Sequence, residues 1–187
     1  MITNVKGDLI KMFKNGAFDA IVHGCNCFHT MGAGIAGQIA EQFPQALEAD
    51  KLGLYGDIDK LGRYTIAQAD KGFIINGYTQ YRPGQEERPR LYSSISTLFD
   101  NLSNDLADGS KIGIPWIGSG IAGGDWEVIE ELIRVRTANM KVFAVEYVPS
   151  HSFKKNDSMG GVTRSSAVKK SNVVVPRSES GLSSWMD

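Results

Sequence analysis

Met31-Gly32-Ala33-Gly34-Ile35-Ala36-Gly37 stands between a short apolar stretch and residues at helical spacing, and Ile117-Gly118-Ser119-Gly120-Ile121-Ala122-Gly123-Gly124 repeats that arrangement. Glycines lack side chains, so backbone N–H groups in such loops come close to a ligand. A helix that starts just after the loop adds a partial positive charge at its N-terminus. Phosphate is the ligand these loops suit best. Two loops sharing a Gly-x-Gly-Ile-Ala core suggest one phosphate-bearing molecule gripped from both sides.

Along the chain, apolar strands alternate with helical stretches. Residues 2–5 read as a first strand, followed by Gly7-Asp8-Leu9 and a short turn; Ala20-Ile21-Val22 reads as a second strand. Ile35, Ile39, Phe43 and Leu47 recur at helical spacing, and Pro44 suits the start of a new helix. Residues 64–69 and 73–78 form two strands joined by Asp70-Lys71-Gly72, a hairpin signal. The polar, proline-bearing stretch 80–90 reads as an exposed loop. Leu91, Ile95, Leu98, Leu102 and Leu106 mark a helix ended by Asp108-Gly109. Residues 111–114 form a strand into the second loop, Trp126, Ile129, Ile133 and Val135 a helix, and 142–148 a last strand. This order predicts an α/β fold with crossover helices on a mixed, mostly parallel sheet, and a ligand at the carboxyl ends of its strands.

Composition sets the limits. The chain has 187 residues, 42% of them apolar, enough to bury a sizeable core. Its 21 glycines exceed the usual share, and the excess gathers in the two loops. The net charge of −1 gives no electrostatic reason to expect nucleic acid. No apolar run is long enough to span a membrane. Cys25 and Cys27 lie too close together to staple a fold, which points to a reducing, cytoplasmic setting. Residues 1–149 read as one domain. Beyond Pro149, residues 150–187 carry six Lys/Arg against three Asp/Glu, which puts +3 in the tail and leaves −4 before it. That Ser- and Lys-rich tail reads as a disordered extension, and the protein as a monomer.

Two familiar motifs fail on inspection. Gly32, Gly34 and Gly37 fit Gly-x-Gly-x-x-Gly, but seven residues, 25–31, separate the strand from the loop. Asp57 has the right distance for a ribose-binding acid, yet lies in a Gly-rich connection rather than at a strand end. A nicotinamide-dependent oxidoreductase is therefore not the reading. His23, Cys25, Cys27 and His29 alternate like zinc ligands. In an extended strand, residues two apart are separated by about 6.6 Å, whereas zinc ligands crowd within about 2.0–2.3 Å of one ion. One strand cannot wrap four side chains around a metal, so neither metal nor cofactor is expected. Small buried cysteines are the simpler account, and nothing depresses a thiol pKa enough for a Cys–His nucleophile.

Three segments in order then carry a resemblance: Val5-Lys6-Gly7-Asp8-Leu9; Val22-His23-Gly24-Cys25-Asn26-Cys27 with residues 31–36; and residues 115–123 with Trp126. From Asn4 through Val148 the chain resembles the macro domain, a three-layer α/β/α module that binds ADP-ribose. His-x-Cys-Asn-Cys, and Gly-Ile-Ala followed by Gln38-Ile39-Ala40, look most like the branch that hydrolyses ADP-ribose 1″-phosphate.

The resemblance implies roles. Gly7 and Asp8 would meet the adenine, with Leu9 donating from its backbone. Gly24, Cys25 and Asn26 would line the distal ribose, with Asn26 holding its hydroxyls. Met31, Gly32, Ala33, Gly34, Ile35 and Ala36 would wrap that ribose and one phosphate, and Ile117, Gly118, Ser119, Gly120, Ile121, Ala122 and Gly123 would offer amides to the diphosphate. Asn26, His23 and Asp125 are the catalytic candidates. Each has a plainer reading: Asp8 caps a turn, Asn26 satisfies backbone, His23 is a buried core histidine, and Asp125 is the N-cap of the last helix. The related branch that frees glutamate from ADP-ribose uses a strand-end lysine and an aspartate in the second loop. Gln80 and Ala122 stand there, which argues against a covalent lysine mechanism. The expected activity is metal-independent release of phosphate from ADP-ribose 1″-phosphate. The alternatives are a non-catalytic reader of ADP-ribose or of ADP-ribosylated protein, and a hydrolase acting on a modified partner through Arg82, Arg88 and Arg90.

Overall fold

The computed structural model describes residues 1–149; the tail expected over 150–187 lies outside the described residues. The chain runs β1 (Ile2–Gly7), α1 (Leu9–Lys14), β2 (Ala20–Asn26), α2 (Gly34–Gln42), α3 (Pro44–Lys51), a 3₁₀ turn (Ile58–Lys60), β3 (Tyr64–Ala69), β4 (Gly72–Gln80), α4 (Arg88–Asp105), β5 (Lys111–Ile114), α5 (Trp126–Arg136) and β6 (Lys141–Tyr147). The six strands form one sheet in the order β1-β6-β5-β2-β4-β3. Only β3 runs antiparallel, in the hairpin with β4. The mixed, mostly parallel sheet is as expected.

Strand alternation builds two cores, one on each face. On β2, Ala20 and Val22 join Ile75 and Val142 under α4 and α5. Ile21, Ile74 and Val145 turn the other way and pack beneath α1, α2 and α3. Helix α4 fits its face through Leu91, Ile95, Leu98, Phe99 and Leu102, all fully buried at three- and four-residue spacing. Each such side chain contributes roughly 1.5–3 kcal/mol by leaving water. The result is a three-layer α/β/α fold.

Four details depart from the sequence reading. The turn after β1 is a helix, α1, and Asp8 is its N-cap, with Oδ1 accepting from the Lys11 amide at 3.0 Å. Strand β2 continues through His23 to Asn26, so the strand and the first glycine loop are closer than expected. Polar residues hid that extension because a strand covered on both faces need not alternate. The stretch 80–90 is only partly a loop: Gln80 ends β4 and Arg88 begins α4. Residues 81–87 are also tied down, since Glu86 accepts from the Tyr81 amide at 2.6 Å and the Glu86 amide donates to the Ala122 carbonyl at 3.1 Å.

Gly113 shows how tightly α1 meets the sheet. A Cβ there would stand 2.5 Å from Phe18 Cδ2 and 2.9 Å from Leu9 Cδ1, atoms of two buried side chains. Gly113→Ala is expected to lower stability by about 1–3 kcal/mol through overpacking, read as a reduced urea midpoint with an unchanged slope.

Candidate functional site

Strand β2 is the pivot of the site. It pairs in parallel with β5 on one side, Ala20 opposite Ile112, and with β4 on the other, Ala20 opposite Phe73. The loops that leave β2 and β5 are therefore neighbours at the same edge of the sheet. Between them lies a cavity of about 430 Å³, lined by Gly24, Cys25, Asn26, Gly32, Ala33, Gly34, Ile35 and Ala36 from one side and Ile117, Gly118, Gly120, Ile121 and Ala122 from the other. The two glycine loops share one cleft.

Each loop has backbone amides to offer. Ala33 is the N-cap of α2 and no side chain caps it, so the first amides of that helix point out of its N-terminus unspent. Gly34 opens the helix at φ +57°, a conformation that favours glycine. The second loop closes on itself through amide-to-carbonyl bonds: Ile117 to Pro115, Ser119 to Trp116, Gly123 to Gly120 and Gly124 to Gly118. Among the described residues, the amides of Gly118, Gly120, Ile121 and Ala122 take no part in that closure. Gly118 sits at φ +76° with a Cβ position 2.8 Å from Ile95 Cδ1, so only glycine fits. Trp116, which lines the cavity, stacks on Trp126 with ring centres 5.5 Å apart and planes 3° apart, pinning the loop to α5.

Several expected site residues stand elsewhere. Ser119 turns its hydroxyl back onto the Trp116 carbonyl at 2.8 Å, and the Gly123 amide is spent within the loop. Met31 is buried in the core under α2 and anchors its loop instead of lining the cavity. Gly7, Asp8 and Leu9 lie at the carboxyl end of β1, the same edge of the sheet, but outside this cavity's wall.

The surroundings of the three catalytic candidates favour the plainer reading of each. His23 is fully buried and shares the face of β2 that turns toward α3. Its Nε2–H donates to Asn76 Oδ1 at 2.7 Å, and Asn76 Nδ2 donates onward to the Ala46 carbonyl and to Thr65 Oγ1. Burial pushes the imidazole pKa down to about 4, against which the Asn76 bond pulls only partly back. A group that stays neutral and out of reach at pH 7 does no acid–base work in the cavity. Asp125 caps α5, accepting from the Glu127 amide at 3.0 Å. Asn26 does line the cavity, but its carboxamide is occupied: Oδ1 accepts from the Phe28 amide at 2.8 Å and from Thr30 Oγ1 at 3.0 Å, while Nδ2 donates to Thr30 Oγ1 and O. It braces the turn that feeds the first glycine loop.

Cys25 offers no nucleophile either. Its Sγ lies 3.7 Å from both ring nitrogens of His23. Burial, then the nearby Asp50 carboxylate, hold its thiol well above the usual range. The arginines of the 80–90 stretch are likewise engaged: Arg82 lies over the Phe28 and Tyr81 rings, Arg88 donates to the Gly123 carbonyl, and Arg90 pairs with Glu86 and Glu87.

The sequence reading missed a buried polar row beneath the cavity. It runs from His23 through Asn76 and Thr65 to the Tyr78 hydroxyl, which donates to Asp50 Oδ1 at 2.8 Å. Fully buried Lys60 closes the row, with Nζ 4.6 Å from the Tyr78 ring centre and donating to the Cys27 carbonyl at 3.3 Å. No sequence signal announces it, because its members come from five separate elements.

Comparison with known proteins agrees with this geometry. The macro domain model matches residues 22–133, more than half of the chain. An uncharacterised 17.5 kDa protein from the tk-vs intergenic region of Enterobacteria phage T4 is 37% identical over 155 residues, spanning 80% of this chain and 98% of its own. Among solved structures, the macrodomain of Thermus aquaticus DarG is similar at TM-score 0.60 and 19% identity, covering 78% of this chain and 98% of that one. Thermosipho africanus DarTG, solved in complex with ADP-ribose, is similar at TM-score 0.57 and 18% identity, covering 82% of this chain and 43% of that one. This chain belongs to the macro domain family.

The His23 environment predicts a pH dependence. Above pH 6.5 the ring is neutral whether folded or unfolded, and stability is intact. As pH falls from 6.5 toward 4, the unfolded chain takes up a proton that the folded state refuses. That uptake costs roughly 3 kcal/mol across the window. Urea melts at pH 7 and pH 4.5 are expected to show a smaller drop for His23→Gln than for wild type.

Proposed function

We propose that this chain binds ADP-ribose in the cleft between the two glycine loops and hydrolyses ADP-ribose 1″-phosphate there, giving ADP-ribose and phosphate. One observation carries the reading: unspent amides at 33–36, at 118 and at 120–122 line a single cavity. Preorganised N–H dipoles in a walled cavity hold a diphosphate without repulsion from any carboxylate, and stabilise added charge at phosphorus. That a relative was solved with ADP-ribose bound supports the same ligand here.

In this reading the adenine lies toward Asp8 at the β1 end, and the distal ribose toward Asn26 at the β2–β4 end. Water attacks phosphorus as the phosphorus–O1″ bond breaks. The departing sugar oxygen keeps the bonding pair and takes up the proton that the attacking water loses, and orientation plus amide stabilisation supply the rate. The second reading is a non-catalytic reader of ADP-ribose or of ADP-ribosylated protein. It is favoured by the engagement of His23, Asp125 and Asn26 away from acid–base work.

Two assays test this. Titration calorimetry with ADP-ribose is expected to show one site per chain, and no heat of binding would sink both readings. Phosphate release from ADP-ribose 1″-phosphate is expected to continue in the presence of a chelator. Tight binding with no release would leave the reader.

A further inference from the structure

The end of β4 carries an irregularity with a consequence for the ligand. Cys25 pairs with Tyr78, but the next residue of β2, Asn26, pairs with Gln80. Thr79 is the extra residue of a β-bulge, a device that re-aims side chains beside binding sites. Thr79 lines the cavity, is 1% exposed, and its Oγ1 is buried with no hydrogen-bond partner among the described residues. Neighbouring Gly24 leaves the room: a Cβ there would stand 2.8 Å from Thr79 Oγ1. An unpaired buried hydroxyl costs about 1–3 kcal/mol unless something completes it.

Gln80, which also lines the cavity, is the second half of the arrangement. Its Nε2 donates to the Arg82 carbonyl and to the Gly84 carbonyl, both at 3.0 Å. Two carbonyl partners fix the amide orientation, since the reverse would set oxygen against oxygen. Both amide protons are thereby spent. What Gln80 has left to offer is Oε1, an acceptor only.

We propose that Thr79 and Gln80, set side by side by the bulge, form a hydroxyl-selective subsite for the sugar at the β4 end of the cleft. A ligand O–H donates to Gln80 Oε1 and its oxygen accepts from Thr79 Oγ1–H. A phosphate dianion has no proton to donate and is repelled by Oε1, so the pair sorts hydroxyl from phosphate and keeps the phosphates on the amide loops. The inference deepens the ADP-ribose reading and rests on it. Five strands separate β1 from β4 inclusively, about 19 Å at the usual strand spacing, which places the subsite at the distal ribose rather than at the adenosine.

The test is calorimetry with ADP-ribose and with ADP, which lacks the distal ribose, on wild type, Thr79→Val and Thr79→Ser. Thr79→Val is expected to weaken ADP-ribose binding about three- to tenfold, to leave ADP binding unchanged, and to keep or raise the melting temperature of the ligand-free protein. Thr79→Ser, which restores the hydroxyl, is expected to bind ADP-ribose as wild type does. Equal ADP-ribose affinity for wild type and Thr79→Val overturns the subsite alone. So does an equal loss for ADP, or a lowered melting temperature that shows the hydroxyl to be structural. Wild type that binds neither ligand overturns the subsite together with the reading beneath it.

Discussion

Parallel pairing of β2 with both β5 and β4 is the constraint on which the rest depends. Because both faces of these strands are covered by helices, their chain exits are forced to the edge of the sheet, where the carboxyl ends of β2 and β5 lie side by side. Each exit then needs a loop that neither fills the cleft nor uses up its own amides. Glycine answers the first need and an uncapped helix N-terminus or a self-closed turn the second. The cavity is thus a by-product of topology, sharpened by side chains that are missing.

Strand alternation divides the labour. The side chains of β2 that turn toward α3, His23 among them, enter a hydrogen-bonded row through Asn76, Thr65 and Tyr78 to Asp50. Asn76 Nδ2 donates to the Ala46 carbonyl and Thr65 Oγ1, which turns Oδ1 toward His23, fixes the His23 tautomer and stiffens the floor beneath the loops. Most residues on the cavity side are apolar or bare, and of the polar ones Asn26 and Gln80 have their donors committed to loop carbonyls or hydroxyls. The chemistry offered to a ligand comes mainly from the backbone. A site built this way favours charge stabilisation over proton transfer by a side chain.

Much of this was legible in the sequence. The four-residue recurrence from Leu91 to Leu102 gave α4, Pro44 gave the break between α2 and α3, and Asp70-Lys71-Gly72 gave the hairpin. The two glycine loops gave the cleft itself. Helix α1 was hidden because six residues are too few to show a period, although Asp8 with Lys11 three residues on was the trace of its cap. The sequence left two readings of each catalytic candidate open for one shared reason. Residue type names what His23, Asp125 and Asn26 are able to do, whereas their partners decide what they do: Asn76, the Glu127 amide and Thr30. Thr79 was invisible because a bulge is a property of register between two strands, and no single segment encodes it. Buried Lys60 escaped notice likewise, since a lone lysine in a polar turn reads as solvent-facing.

Amide hydrogen exchange with and without ADP-ribose reads out whether the two glycine loops hold one ligand. A ligand diphosphate bridging the two loops slows exchange at residues 33–36 and at 118 and 120–122 together, in the same concentration range. Slowing confined to one loop, or to neither while ADP-ribose is bound, would contradict the shared cleft.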